Sequence, residues 1–210
     1  MNAWSAFRVI AAIALVPACY APAFALASRT GPLGILTLVT VILVSATVAF
    51  AIAAILVLQH KRSVGDFGAR AVEARSALMW FAGSLALALP VVMIVQAGGE
   101  APPDFIRALD IQAAFVLFVI CASIQEELIF RGTLLGIFNN ALAQGQWLGP
   151  VTLSAVLFGL LHLSVGPITA AAATLLGFLT GYARFRTGSL VTAILCHSAF
   201  NLASLLVRYI

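Results

Sequence analysis

The sequence predicts an all-α protein, a polytopic transmembrane helical bundle of about seven spans. Three observations carry this. Hydrophobic residues make up 63% of the 210 and charged residues only 9%, whereas a soluble domain carries about 25% charged residues. Mean hydropathy is +1.12. The apolar residues also fall in runs near the roughly 20 residues that cross a bilayer as a helix, with short Gly, Pro or charge-bearing breaks between them.

The runs lie at 5–27, 33–59, 76–97, 111–138, 147–164, 167–185 and 189–208. In the first, Arg8 precedes an apolar stretch, Ala25-Leu26-Ala27 resembles a signal cleavage site and Val16-Pro17-Ala18-Cys19 faintly resembles a lipoprotein box. The weakly charged n-region favours an uncleaved span. After the second run, the loop from His60 to Arg75 carries Lys61, Arg62, Arg70 and Arg75, while the loop from Gly98 to Asp110 holds Glu100, Asp104, Asp110 and only Arg107. Positive-inside bias puts the first loop in the cytoplasm. Alternate counting then puts Arg8, Arg184 and Arg186 on the same side and Arg29, Arg107 and Arg208 outside, with a cytoplasmic N-terminus and an external C-terminus. In the sixth run Gly177 and Gly181 form a GxxxG pair, the signature of closely packed membrane helices.

With no long linker and no internal repeat, residues 1–210 read as a single integral membrane domain. Ten arginines to one lysine, with abundant alanine, point to a GC-rich bacterial genome and hence to an inner (plasma) membrane. The net charge of +4 is spread along the chain, so nucleic acid is not an expected partner. The partners expected are the lipid bilayer and a peptide or membrane-protein substrate. Cys19, Cys121 and Cys196 lie in apolar runs without metal-site spacing and read as small hydrophobic residues.

Five of the seven acids occupy polar breaks, but Glu126 and Glu127 lie inside the fourth run. A carboxylate at the bilayer centre costs about 2.5–3.5 kcal/mol on insertion scales, which makes the pair a candidate functional site. Adjacent residues point about 100° apart on a helix, so their roles should differ. Arg131, four residues beyond Glu127, shares its face and suits a bidentate ion pair. Glu126, without such a cationic partner on its own helix, is the freer carboxylate and suits proton abstraction from water.

Two further runs add polar groups: His162 closes Phe158-Gly159-Leu160-Leu161-His162, and His197 and Asn201 share a face of the seventh span. Four costly polar sites on three spans are expected to converge on one cavity. The chemistry suits amide hydrolysis. Glu126, with His162 as an assistant, would deprotonate water, while His197 and Asn201 would donate to the oxyanion. A zinc reading uses Glu126, His162 and His197 as ligands. The chain lacks HExxH and asparagine is a poor zinc ligand, so no cofactor is favoured, with Zn as the alternative. Among the serines, Ser123, Ser154, Ser164, Ser189 and Ser198 sit in or near spans, but none lies in GxSxG.

Glu126-Glu127-Leu128-Ile129-Phe130-Arg131-Gly132, Phe158 with His162, and His197 with Asn201 together resemble the motif set of the CPBP family. This family comprises type II CAAX prenyl endopeptidases and bacteriocin-processing or immunity proteins, and is also called Abi. Gly177, Gly181 and Thr187-Gly188-Ser189-Leu190 resemble its last block, and the resemblance spans a catalytic core of about 115–205. It implies an intramembrane endopeptidase whose catalytic glutamate matches Glu126, with Glu127, Arg131, His162, His197 and Asn201 as its partners. Val191 stands where relatives often have a larger aromatic residue. Eukaryotic relatives trim prenylated C-termini, whereas bacterial roles include peptide processing, immunity and regulated proteolysis. Because Arg131 follows the glutamates near the predicted inner end of its span, the cavity is expected to open towards the cytoplasmic half. The competing readings are a non-enzymatic immunity or interaction protein with a structural polar cluster, and a proton-coupled transporter using Glu126 as a relay.

Overall fold

The computed structural model describes residues 44, 47, 48, 51, 68, 70–99, 110–142 and 146–209. Apart from four helical residues of the second, the expected spans at 5–27 and 33–59 lie outside the described residues, as do His60 and most of the loop from Gly98 to Asp110. All regular structure among the described residues is helical. Three helices are long and apolar enough to cross a membrane: α1 (Ala74–Ala97), α6 (Pro167–Thr187) and α7 (Leu190–Tyr209), the last counted to Arg208. The fifth expected span is a shorter helix, α5 (Leu148–Leu161), continued by a single 3₁₀ turn (His162–Ser164). The fourth is a composite: α2 (Ile111–Ala114), a π-helical stretch π1 (Phe115–Ala122), α3 (Ser123–Glu127), a second stretch π2 (Leu128–Leu134) and α4 (Leu135–Leu142).

The bundle is held by small residues on facing helices. On α1, Ser84, Ala88 and Val92 recur every fourth residue and are buried, whereas Leu78, Met79, Met93 and Ile94 are each more than 60% exposed. The buried stripe packs on α7, whose Ala193, Cys196, Ala199 and Ala203 are fully buried. Lipid tails are as apolar as leucine, so close van der Waals contact is what holds such helices together. The GxxxG pair acts the same way between α5 and α6. A Cβ on Gly177 would lie 2.9 Å from the Ala155 Cα, and one on Gly181 2.9 Å from a Val151 methyl.

Helix α6 starts on Pro167, where the missing N–H costs nothing, and stops at Gly188, whose φ of +68° is a left-handed cap. The Gly188 N–H closes on the Arg184 carbonyl at 2.9 Å, and α7 begins two residues later. The Leu190 N–H donates to the Gly68 carbonyl at 2.8 Å, which ties the segment before α1 to the α6–α7 turn. Arg70, Arg184 and Arg186 therefore gather at one end of the bundle, here called the basic end. Trp147 packs on Phe178, Tyr182 and Phe185 at this end, and Trp80 meets Tyr182 edge-on at 6.0 Å. Tryptophan and tyrosine beside arginines mark a membrane interface.

The composite helix departs from the regular 3.6-residue expectation. In π2 the Thr133 hydroxyl donates to the Leu128 carbonyl, five residues back, at 3.2 Å. Such wide turns concentrate at functional sites, and here they lie on both sides of the short α3 that carries Glu126 and Glu127.

Candidate active site

The site forms where α3 and π2 meet α5 and α7. Ser123, Glu127 and Arg131 recur at every fourth position and are all buried, forming a polar stripe within an apolar segment. Arg131 donates from Nη1 to Glu127 Oε1 at 3.0 Å, with both side chains fully shielded from solvent. The same Glu127 oxygen accepts from His197 Nδ1 at 2.9 Å. The expected bidentate pair is therefore a single contact, because Oε1 is shared between a guanidinium and an imidazole arriving from another helix. Glu127 Oε2 is buried and lacks a hydrogen-bond partner among the described residues.

Aromatic rings enclose this chain of charges. The Arg131 guanidinium lies 4.8 Å from the Phe158 ring centre and 5.6 Å from that of Phe130, and Phe158 meets His197 edge-on at 5.6 Å. A cation over an aromatic face is worth up to about 2 kcal/mol once desolvated. Gly177 makes the remaining room, since a Cβ there would lie 3.0 Å from Arg131 Nη2.

Glu126 projects differently. Its side chain is 20% exposed, and its Oε2 faces His197 Nε2 at 3.6 Å. That separation is longer than a direct hydrogen bond and suits a bridging water. With Nδ1–H committed to Glu127, the Nε2 edge of His197 is turned towards Glu126.

Asn201 donates from Nδ2 to the Ser123 hydroxyl at 3.1 Å. His162 bonds through Nδ1 to the Phe158 carbonyl of its own helix at 2.9 Å and stacks 4.8 Å from the Phe158 ring. The imidazole that faces Glu126 is that of His197, not the assisting His162 of the sequence-based expectation. His162 instead lines, together with His197 and Asn201, a cavity of about 140 Å³ between α1, α5, α6 and α7. Its lining residues lie towards the ends of their helices remote from Arg70, Arg184 and Arg186. The depth of each lining residue along its helix sets that placement, and a single span does not carry this information.

The zinc reading needs Glu126, His162 and His197 around one point. Among the described residues no three His, Cys, Asp or Glu side chains are grouped to hold a metal ion. The residues do not fit a three-ligand site in this arrangement, so no step is derived through a metal.

Two contributors were missed by sequence reasoning. Ser123, considered only as a nucleophile, supports Asn201, and its place four residues before Glu127 was the available signal. The cross-helix bond from His197 to Glu127 had no local signal.

Residues 109–203 match a family model described as "Type II CAAX prenyl endopeptidase Rce1-like". Over this segment the chain is similar to the Rce1-like family. The match runs from just before the composite helix into α7 and so contains every residue of the site described above. With the apolar helices, this match points to an integral membrane protein. An Escherichia coli protein described as "Uncharacterized 24.3 kDa protein" is 28% identical over 127 residues, 56% of this chain. The chain spans 58% of that relative's length. No solved structure matches the chain.

Proposed function

We propose that this protein is an intramembrane endopeptidase that hydrolyses a peptide bond with water activated by Glu126. The observation that carries the reading is the buried chain Arg131–Glu127–His197, which ends 3.6 Å from a second, partly exposed carboxylate. A purely structural ion pair accounts for Glu127 and Arg131. It gives no role to Glu126 or to an imidazole held between two carboxylates.

In this mechanism a water sits between Glu126 Oε2 and His197 Nε2. Glu126 takes its proton as the oxygen attacks the carbonyl carbon. Glu127 holds the His197 ring by Nδ1–H and fixes its orientation, as an aspartate orients histidine in serine hydrolases. Arg131 balances the charge of Glu127. The developing oxyanion is met by Nε2–H of His197 and by Asn201, whose amide Ser123 orients. The C–N bond then breaks, and the proton held by Glu126 passes to the leaving amine. His162 keeps its Nε2 towards the cavity and aligns the substrate backbone. No metal is required.

The same reading takes residues 1–210 as one membrane domain of seven spans in a bacterial inner membrane, with the basic end and the N-terminus cytoplasmic and the C-terminus external. The composite helix and 148–164 would be two of those spans. Purified protein in detergent, offered a peptide library beside a Glu126→Ala variant, tests the activity. Cleavage by the native chain alone is the expected result, and a native chain that leaves every peptide intact contradicts it.

A further inference from the structure

Two serines that the mechanism leaves unused reach the main chain of the composite helix from neighbouring helices. Ser154 on α5 is fully buried, and its hydroxyl donates to the Phe130 carbonyl at 3.2 Å. Ser198 on α7 donates to the Val119 carbonyl at 2.8 Å. Val119 lies in π1 and Phe130 in π2, so one such bond is made on each side of α3. Helix α7 thereby holds the composite helix at three points spaced by four residues: Ser198 at Val119, Asn201 at Ser123 and His197 at Glu127. Of the three, the bond to Val119 alone grips the backbone, so it fixes the helix whatever rotamers its side chains adopt.

Such bonds matter because the wide register is the less stable one. Helical N–H groups ordinarily close on the carbonyl four residues back, and π-helical residues make up under about 1% of soluble proteins. At the end of π2 the Leu135 N–H reaches the Phe130 carbonyl, five residues back. The Ser154 hydroxyl takes the second lone pair of that same oxygen. Thr133 supports the turn from within the helix through its bond to Leu128. A slip of one residue in either wide turn would rotate the chain on one side of it against the other by about 100°. Because α3 lies between the two turns, a slip displaces Glu126 and Glu127 from His197, which they meet at 3.6 and 2.9 Å.

We infer that Ser154 and Ser198 are positioning residues, whose hydroxyls hold the two wide turns and so set the rotation and height at which Glu126 and Glu127 face His197. Their effect on cleavage rests on the peptidase reading, whereas their effect on the geometry of the cluster does not. A serine that merely glued helices together would change the stability of the bundle and leave the rate of each folded molecule alone.

Five variants of the full chain test this, each assayed well below its own denaturation midpoint. Ser154→Ala and Ser198→Ala remove the hydroxyls, Ser154→Cys keeps the shape with a weaker donor, and Ser198→Thr keeps the hydroxyl. As a control, Thr174→Val removes a hydroxyl whose 2.9 Å bond, to the Ala170 carbonyl, stays within α6. Both alanine variants should lose about tenfold to 10²-fold in kcat, the cost of misplacing a reacting group by up to about 1 Å, with KM within about twofold of the native value. Ser198→Thr should return most of the rate, Ser154→Cys should fall between serine and alanine, and Thr174→Val should cleave at the native kcat. Folded alanine variants with native kcat, a loss that Ser198→Thr does not restore, or an equal loss in Thr174→Val would each overturn the inference. If an alanine variant does not fold, Ser154→Cys carries the test, and a native kcat there overturns it. A native chain that cleaves no peptide would remove the peptidase reading, and imidazole ¹⁵N spectra of the three histidines then decide the positioning. Ser154→Ala should move the His197 Nδ1 signal, bonded to Glu127 at 2.9 Å, and Thr174→Val should not; an unmoved signal in Ser154→Ala overturns the inference.

Discussion

Replacing Arg131 by methionine, alone and together with Glu127→Gln, tests whether these charges act as one unit. Both side chains are fully shielded from solvent and meet at 3.0 Å. Removing one partner strands a buried charge, at a cost of about 3–5 kcal/mol. Arg131→Met also forfeits the contact 4.8 Å from the Phe158 ring, worth up to about 2 kcal/mol. Glu127→Gln strands the guanidinium and leaves His197 Nδ1–H facing a neutral amide. The double variant has no stranded charge, so its destabilisation should be no greater than that of either single change. The resulting coupling of about 3 kcal/mol is at the upper end for residues in contact. Denaturation midpoints in one detergent at one pH, followed by circular dichroism, give all four corners of the cycle. Additive single effects, or single changes within about 0.5 kcal/mol of the native chain, as at an ordinary surface position, would refute the reasoning. The double variant should be stable and inactive, because His197 has then lost its carboxylate.

Three other changes separate structure from chemistry. Gly177→Ala places a methyl 2.9 Å from the Ala155 Cα and 3.0 Å from Arg131 Nη2, so it should cost about 1–3 kcal/mol by overpacking and lower cleavage. Gly83→Ala, whose Cβ meets nothing within 4 Å, should gain up to about 1 kcal/mol of helix propensity, as the same melting curves would show. Ser123→Ala removes the 3.1 Å support of Asn201, costing about 0.5–1.5 kcal/mol of stability; it should lower kcat more than it raises KM. Chelator treatment of active protein should leave cleavage unchanged, whereas loss of activity restored by Zn²⁺ would reinstate the metal reading.

The helices α1, α6 and α7 were legible because long apolar runs between breakers have few alternatives in a bilayer, and their limits fall within about two residues of the expected runs. The divergence of Glu126 and Glu127 followed from helical geometry alone, as did the Glu127–Arg131 contact at i,i+4. Three features were not legible. The π-helical turns around α3 escape a reading that assumes 3.6 residues per turn throughout. The bond from His197 to Glu127 spans 70 positions and depends on how α7 packs. The place of the cavity depends on the relative heights of Val95, His162, Thr169 and Ser204 on four helices. The small-residue pattern that brings those helices together was visible as Gly177 and Gly181, yet the room Gly177 leaves for Arg131 required the packed bundle.

The most direct measurement is the cleavage rate of Glu126→Gln relative to the native chain, in the same detergent and with matched denaturation midpoints. Glutamine keeps the shape of the partly exposed side chain and removes only its ability to take a proton. The account predicts a folded variant slowed by about 10²–10⁴-fold, the contribution of a positioned general base. A variant that cleaves at the native rate would contradict it.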